Sequence, residues 1–532
     1  MTQKFHRRHF LALSASLAAG TRLGGAPPEK KQIGLVRSTL GALARPASPE
    51  HPLDYEGVRD MVWKAIEYAG GMERRVRPGS WMVLKPNLGW LHPQHDWCPG
   101  DTTDLRVLRA VLEYAAANTK AGRITIAEGG SYRGLRDPMP DNVVSQNGVR
   151  VDGSTYSWPA EDFPGVGGTI AARLAEIGRK TPDKRFDFVD LNYDGVRDPS
   201  GQLTRVPVPV ASNGVGAFSL RGEYFVTNTI PKCDFLVSIP VVKCHMQCGV
   251  TASLKNYVGT APRQAYARPG VYWNSELHAQ HSVEDRIDPF IADLSAFHPP
   301  DFVVADFIRG LQYREHKIAA PDQMIRNNAV IASADPVAAD ALAAWLLGFS
   351  PADVEYLQMV QARGTGILDL SQCDVRGDDP AKLRQRWIKP ADWHGRGNRT
   401  WRVTADPAAP PAKWARYLAP TDTLTFEKAT GTPGAPAYGA SVRVVADGHR
   451  KAFLWVGVKG RVAARVNGEQ AMTEEGLTRY RIGQFRKAVE LRPGENLLEF
   501  RVEPVSGAAQ LSVLLVDPRN DGDTVDGIRW TA

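Results

Sequence analysis

The chain has 532 residues, 43% of them apolar and 23% charged, with a formal net charge of +7. That length exceeds what one hydrophobic core supports, and the composition is that of an ordinary globular protein, so two folded units are expected. The positive balance does not indicate nucleic acid, because Lys and Arg are scattered among 58 acidic residues and no basic run interleaves with aromatics. It reads as solvation with a mild preference for anions.

Lys4, His6, Arg7 and Arg8 form a basic head, an apolar run over residues 10–19 follows, and Gly24, Gly25 and Ala26 offer a cleavage region. This is the layout of an export signal over residues 1–28, and its apolar run is far shorter than the roughly twenty residues a membrane-spanning helix needs. Arg7 and Arg8 followed by His9, Phe10 and Leu11 resemble a twin-arginine signal. The alternative is an ordinary secretory signal with a chance Arg-Arg pair. The expected location is periplasmic or otherwise extracytoplasmic, with the twin-arginine export machinery as a partner and no membrane anchor in the mature protein. Five cysteines, Cys98, Cys233, Cys244, Cys248 and Cys373, are an odd count for an oxidising compartment, so at least one thiol is unpaired, metal-bound or buried.

Over residues 29–380, strand-like runs at 33–36, 81–84, 124–127, 235–239, 302–305 and 329–332 alternate with helical patterns. Met61, Val62, Ala65, Ile66 and Ala69 fall on one helical face, as do Leu105, Leu108, Val111, Leu112 and Ala115. The fold class is therefore α/β, a mostly parallel sheet flanked by helices. The stretch 138–228, rich in Gly, Pro, Asp and Ser, reads as long excursions over the rim of the sheet. Asp335, Pro336 and Gly348 mark a helix by its N-cap, its first residue and its stop.

A Trp-containing, Pro-rich stretch over 381–415 reads as a linker. Beyond it, over 416–532, Val462, Ala464 and Val466, then Leu498, Phe500 and Val502, alternate with period two. Asn467-Gly468 and Pro493-Gly494-Glu495-Asn496 supply turns. This predicts a separate antiparallel β-sandwich, which looks like the jelly-roll modules appended to secreted carbohydrate-active enzymes.

In open α/β sheets ligands gather where strands end. The second strand runs into Lys85 and Asn87, and the third into Glu128 and two glycines. The fourth runs into a segment carrying Lys243, His245, Lys255 and Asn256, and the next two lead to Asp306 and to Asp335. Three lysines at one sheet edge repel one another unless an anion or carboxylates offset them, so a small anionic or carbohydrate ligand and an internal ion-pair network are both open readings. His245, Glu128 and Asp306 are the candidate catalytic or metal-assisted acid–base set. Lys85, Asn87, Lys243, Lys255, Asn256, Asp335 and Asp340 are the candidate ligand-binding set. Asp335 is also the natural helix cap, and Asp340, a turn into an apolar helix, needs a partner, for which one of the lysines is the obvious candidate.

The motifs LKPNLG, AEGG, IPVVKCHMQCGVTASLKN, VVADFI and IASADPVAADALAAWLLG, in that order over residues 33–377, together resemble the domain-of-unknown-function 362 family. The resemblance implies a fold and a pocket rather than a reaction. Some members carry ferredoxin-like segments, but no Cys-x-x-Cys-x-x-Cys run exists here, which argues against a ferredoxin-type iron–sulphur cluster. Where similar proteins have Thr or Ser beside the histidine, this chain has Cys244, with Cys248 following. With His245 these thiols would offer ligands to a divalent or transition metal, or else pair as a disulfide, or else fill a packed loop. The pairs His92 and His95, and His278 and His281, have i, i+3 spacing, which serves metal binding or, more commonly, a solvated loop. Three functions follow: an exported enzyme acting on an anionic or sugar-like molecule, a non-catalytic glycan or small-anion binder, and a metal-holding redox protein. Export in the folded state favours the first.

Overall fold

The computed structural model describes residues 30–38, 53–89, 99–129, 157–158, 168–219, 221–266, 277, 286–315, 322–390, 393, 395, 397–419, 421–475, 483–519 and 524–531. The stretch read as an export signal, Cys98, the four histidines at positions 92, 95, 278 and 281, and the residues that follow Gly129 in the EGGSYRG motif lie outside them.

In chain order, Lys31–Arg37 (β1), Tyr55–Tyr68 (α1), Trp81–Pro86 (β2), Leu105–Asn118 (α2), Arg123–Glu128 (β3), Ile170–Lys180 (α3) and Arg185–Asp190 (β4) build the first half of the sheet and its cover. Phe235–Ile239 (β5), the hairpin strands Lys243–His245 (β6) and Gly249–Thr251 (β7), Ile287–Ser295 (α4), Phe302–Leu311 (β8), Met324–Ser333 (β9), Pro336–Leu346 (α5), Glu355–Ala362 (α6) and Cys373–Gly377 (β10) follow. The eight-stranded sheet has the order β10-β1-β9-β8-β5-β2-β3-β4. Every neighbouring pair is parallel except at β9, which runs antiparallel to both β1 and β8.

The helices start where the sequence caps them. Asp54 accepts from the Gly57 N–H, Asp104 from Arg106 and Asp335 from Ala338, each satisfying an amide that a free helix end leaves unpaired. The apolar faces of α1 and α2 are buried in one cluster with residues of β1, β2, β3, β5, β8 and β9. Truncating a residue such as Met61 there costs about 2–5 kcal/mol. The stretch read as rim excursions holds regular structure too, in α3 and β4. β4 is an edge strand whose residues are only partly buried, apart from its exposed first one, so it lacks the unbroken apolar run that marks the central strands.

Lys31–Ala532 cluster into one compact unit. After β10, two antiparallel sheets face each other across a shared apolar core. One has the order Ala415–Leu418, Thr400–Thr404, Tyr438–Ala446, Gly494–Glu503, Arg461–Val466, Glu469–Glu474, with Ile528–Thr531 also on Tyr438–Ala446. The other is Thr423–Thr425, Gln510–Val516, Arg450–Lys459, Phe485–Leu491. Thr400–Thr404 lies inside the stretch read as a linker, yet it pairs with a strand on each side. Asn467 and Gly468 turn the chain with φ of 52° and 82°, the left-handed pair that a two-residue hairpin requires. A buried ion cluster ties this region to the α/β part: Arg286, just before α4, donates to Glu355 of α6 at 2.5 Å and to Asp422 at 2.9 Å. Among the described residues, no helix is long and apolar enough to cross a membrane.

Candidate functional site

The β6–β7 hairpin pairs Lys243 with Thr251, Cys244 with Val250 and His245 with Gly249. Strand alternation therefore turns Lys243, His245 and Thr251 to one face and Cys244 to the other. On that other face Cys244 joins Val242, Val250 and Cys248 in an apolar cluster. Both thiols are free, their nearest polar partners are the Ile388 and Val250 carbonyls at 3.8 and 3.5 Å, and burial pushes both well above the usual thiol range. On the polar face, His245 Nδ1 accepts from the Gln247 and Cys248 amides at 3.2 and 3.5 Å. That role assigns the ring proton of neutral His245 to Nε2, which lies 3.3 Å from Glu315 Oε1. Glu315 is itself held by the Met246 N–H at 2.6 Å. Among the described residues, no group of three or more His, Cys, Asp and Glu side chains is disposed to hold a metal ion.

The three lysines meet three different fates. Lys85 Nζ lies 2.8 Å from Glu128 Oε1 and also donates to the Pro86 carbonyl and Asn256 Oδ1. The same carboxylate accepts from the Leu88 and Gly129 amides at 2.6 and 2.7 Å. Burial pushes Glu128 up and Lys85 down, and each opposes the shift of the other. Lys243 is buried against the carboxylate and main-chain carbonyl of Asp101. Lys255 is partly buried at the first position of a 3₁₀ turn, Lys255–Thr260, and among the described residues its ammonium makes no hydrogen bond or ion pair.

The chain is nevertheless fixed on both sides of Lys255. Before it, the Ser253 and Leu254 amides donate to Asp340 of α5 at 2.8 and 2.9 Å. The hydrogen-bond partner of Asp340 is thus this turn of backbone and not a lysine: two adjacent N–H groups match the two carboxylate oxygens. After it, Asn256 Nδ2 donates to the Lys85 carbonyl and to Ser238 Oγ at 2.8 and 3.2 Å. Burial pushes Lys255 below the usual lysine range, Cys248 and Glu315 oppose this, and the positive Lys243 adds to it. Glu315, Lys243 and Asp101 therefore all act electrostatically on Lys255.

Glu128, His245 and Asp306 do not form one hydrogen-bonded trio. Glu128 is occupied by Lys85, and Asp306 accepts the Asp104 and Ile308 amides at 2.7 and 2.9 Å. Burial and the neighbouring Asp104 charge push Asp306 up to about 7. Asp335 caps α5, and the Asn87 backbone N–H donates to Thr103 Oγ1 at 2.9 Å. The structure brings together Lys243, His245 and Lys255, joined by Asp101 and Glu315, which sequence reasoning missed. Asp101 stands in a turn and Glu315 beyond the end of a long strand, so neither follows the strand-end rule. The one available signal was the need of Lys243 for a carboxylate.

The model of a family described as "Domain of unknown function (DUF362)" matches residues 184–345, the stretch that holds β5 to β9, the hairpin and Lys255. This supports the resemblance read from the motifs. No curated protein matches the chain. Among solved structures, a β-glucosidase from Kluyveromyces marxianus in complex with glucose is similar at 12% identity over 23% of this chain and 17% of its own, with a TM-score of 0.18. A β-galacturonidase from Eisenbergiella tayi bound to galacturonate gives 16%, 23%, 25% and 0.17. A family 35 carbohydrate-binding module from an environmental isolate gives 18%, 19%, 77% and 0.15. This chain thus spans less than a fifth of the length of the glucosidase, and likenesses so slight carry nothing about its activity.

Proposed function

We propose that this chain binds a small anionic ligand, a carboxylate, phosphate or acidic sugar, over the face that bears Lys243, His245 and Lys255, and that His245 with Glu315 supplies acid–base capability beside it. The observation that carries this reading is Lys255: a cation withdrawn from water, pinned by its neighbours in sequence and without a directly bonded carboxylate among the described residues. An unpaired, partly buried charge is costly until an anion offsets it. The other two lysines at this edge already have carboxylates, which makes Lys255 the one whose charge a ligand completes.

Because burial lowers the Lys255 pKa, anion affinity is full below that pKa and is lost as the pH rises through it. The loss comes at lower pH than an ordinary lysine would give. Calorimetric titration with acetate, inorganic phosphate and glucuronate tests the reading. Lys255→Met is expected to weaken binding by about tenfold or more, roughly 1.4 kcal/mol, while Lys255→Arg keeps it. Equal binding by wild type and Lys255→Met sinks the proposal. Action outside the cytoplasm belongs to the same reading, and a chain with Arg7→Lys and Arg8→Lys should accumulate as uncleaved precursor in the cytoplasm.

A further inference from the structure

We infer that Lys255 is a covalent residue, whose amine condenses with the carbonyl carbon of a small keto acid to form an iminium linkage at this site. The inference rests on the anion-binding reading and adds a bond to it. Four features of the site lead there. The Nζ of Lys85 and that of Lys243 are engaged by carboxylates, so their lone pairs are committed to protons, whereas Lys255 has no such partner among the described residues. Its backbone is held from both sides, by Asp340 through Ser253 and Leu254, and by Asn256 through Lys85 and Ser238. A nucleophile therefore stands on a fixed base with a free head. Burial and the Lys243 charge favour the neutral amine over the ammonium, against Glu315 and Asp101. Thr251, fully buried and paired in register with Lys243, has a hydroxyl without a hydrogen-bond partner among the described residues, which is available to a ligand oxygen.

The step balances as follows. The Nζ lone pair adds to the carbonyl carbon, the C=O π pair moves to oxygen, and a proton passes from nitrogen to that oxygen to give a carbinolamine. A second proton, supplied from the His245–Glu315 pair, lets the hydroxyl leave as water while the nitrogen lone pair closes the C=N bond. Ammonium plus ketone gives iminium plus water, with no oxidant or reductant required. A keto acid is favoured over a simple aldehyde because its carboxylate pairs with the iminium charge in the place the free anion takes.

The mature full-length protein is incubated with pyruvate or glyoxylate and sodium cyanoborohydride, then read by intact mass and peptide mapping. One reduced adduct on the Lys255 peptide is expected, formed about tenfold faster than at any exposed lysine and slowed by inorganic phosphate. Lys255→Arg loses the adduct. Wild type that binds phosphate but is labelled only at exposed lysines, at the same rate as Lys255→Arg, overturns the covalent step and leaves the anion site standing. Wild type that neither binds phosphate nor forms the adduct overturns both.

Discussion

Gly259 offers a sharp test of the packing beneath the site. A Cβ at this position would lie 2.8 Å from Lys85 Nζ, 2.9 Å from Glu128 Oε1 and 2.9 Å from the Gly129 carbonyl oxygen. The first two atoms form the buried ion pair and the third is backbone, so no flexible chain end can swing away. Overpacking alone costs about 1–3 kcal/mol, and forcing Lys85 from Glu128 weakens a charge-assisted bond worth about 1.5–3 kcal/mol. Gly259→Ala should therefore lose about 3 kcal/mol in urea unfolding followed by tryptophan fluorescence. Gly216, with nothing within 4 Å of its added Cβ, is the control, and Gly216→Ala should stay within about 0.5 kcal/mol. Equal costs at the two positions would falsify the view that a close-packed ion pair underlies the turn.

Three further outcomes are expected. Asp335→Ala removes the cap of α5 and should cost about 1 kcal/mol in the same unfolding assay. Asp340 is raised by burial from 3.8 to about 7, so the folded state binds its proton more tightly than the unfolded one. Its contribution is then present below the unfolded value and lost as pH climbs from about 4 through 7, an effect of at most about 4 kcal/mol, and Asp340→Asn should flatten that part of the stability profile. Arg286→Met leaves Glu355 and Asp422 buried without their common cation and should destabilise by about 3–5 kcal/mol, seen as a lowered urea midpoint and faster proteolysis near residues 381–415.

The central strands were legible because a strand buried on both faces tends to a near-continuous apolar run, as 302–305 is. The cap at Asp335 was legible because Asp, Pro and Gly each have a local conformational reason to stand where they do. The edge strand Arg185–Asp190 was not, since a partly buried strand carries charges at Arg185, Asp187 and Asp190 that read as loop. The strand-end rule found all three lysines but could not rank them. Their difference lies in which carboxylate the fold delivers, and Glu128 and Asp101 come from segments remote in the chain from the lysines they pair with.

The first strand has a consequence for how the protein acquires its structure. β1 is hydrogen-bonded between β9 and β10: Gln32 meets Ser333 across 301 positions, and Arg37 meets Asp378 across 341. During synthesis β1 leaves the ribosome first and waits for both neighbours, so the sheet closes only after residue 378 has been made. Such distant pairing slows folding, and the waiting apolar edges are the surface a chaperone would have to cover.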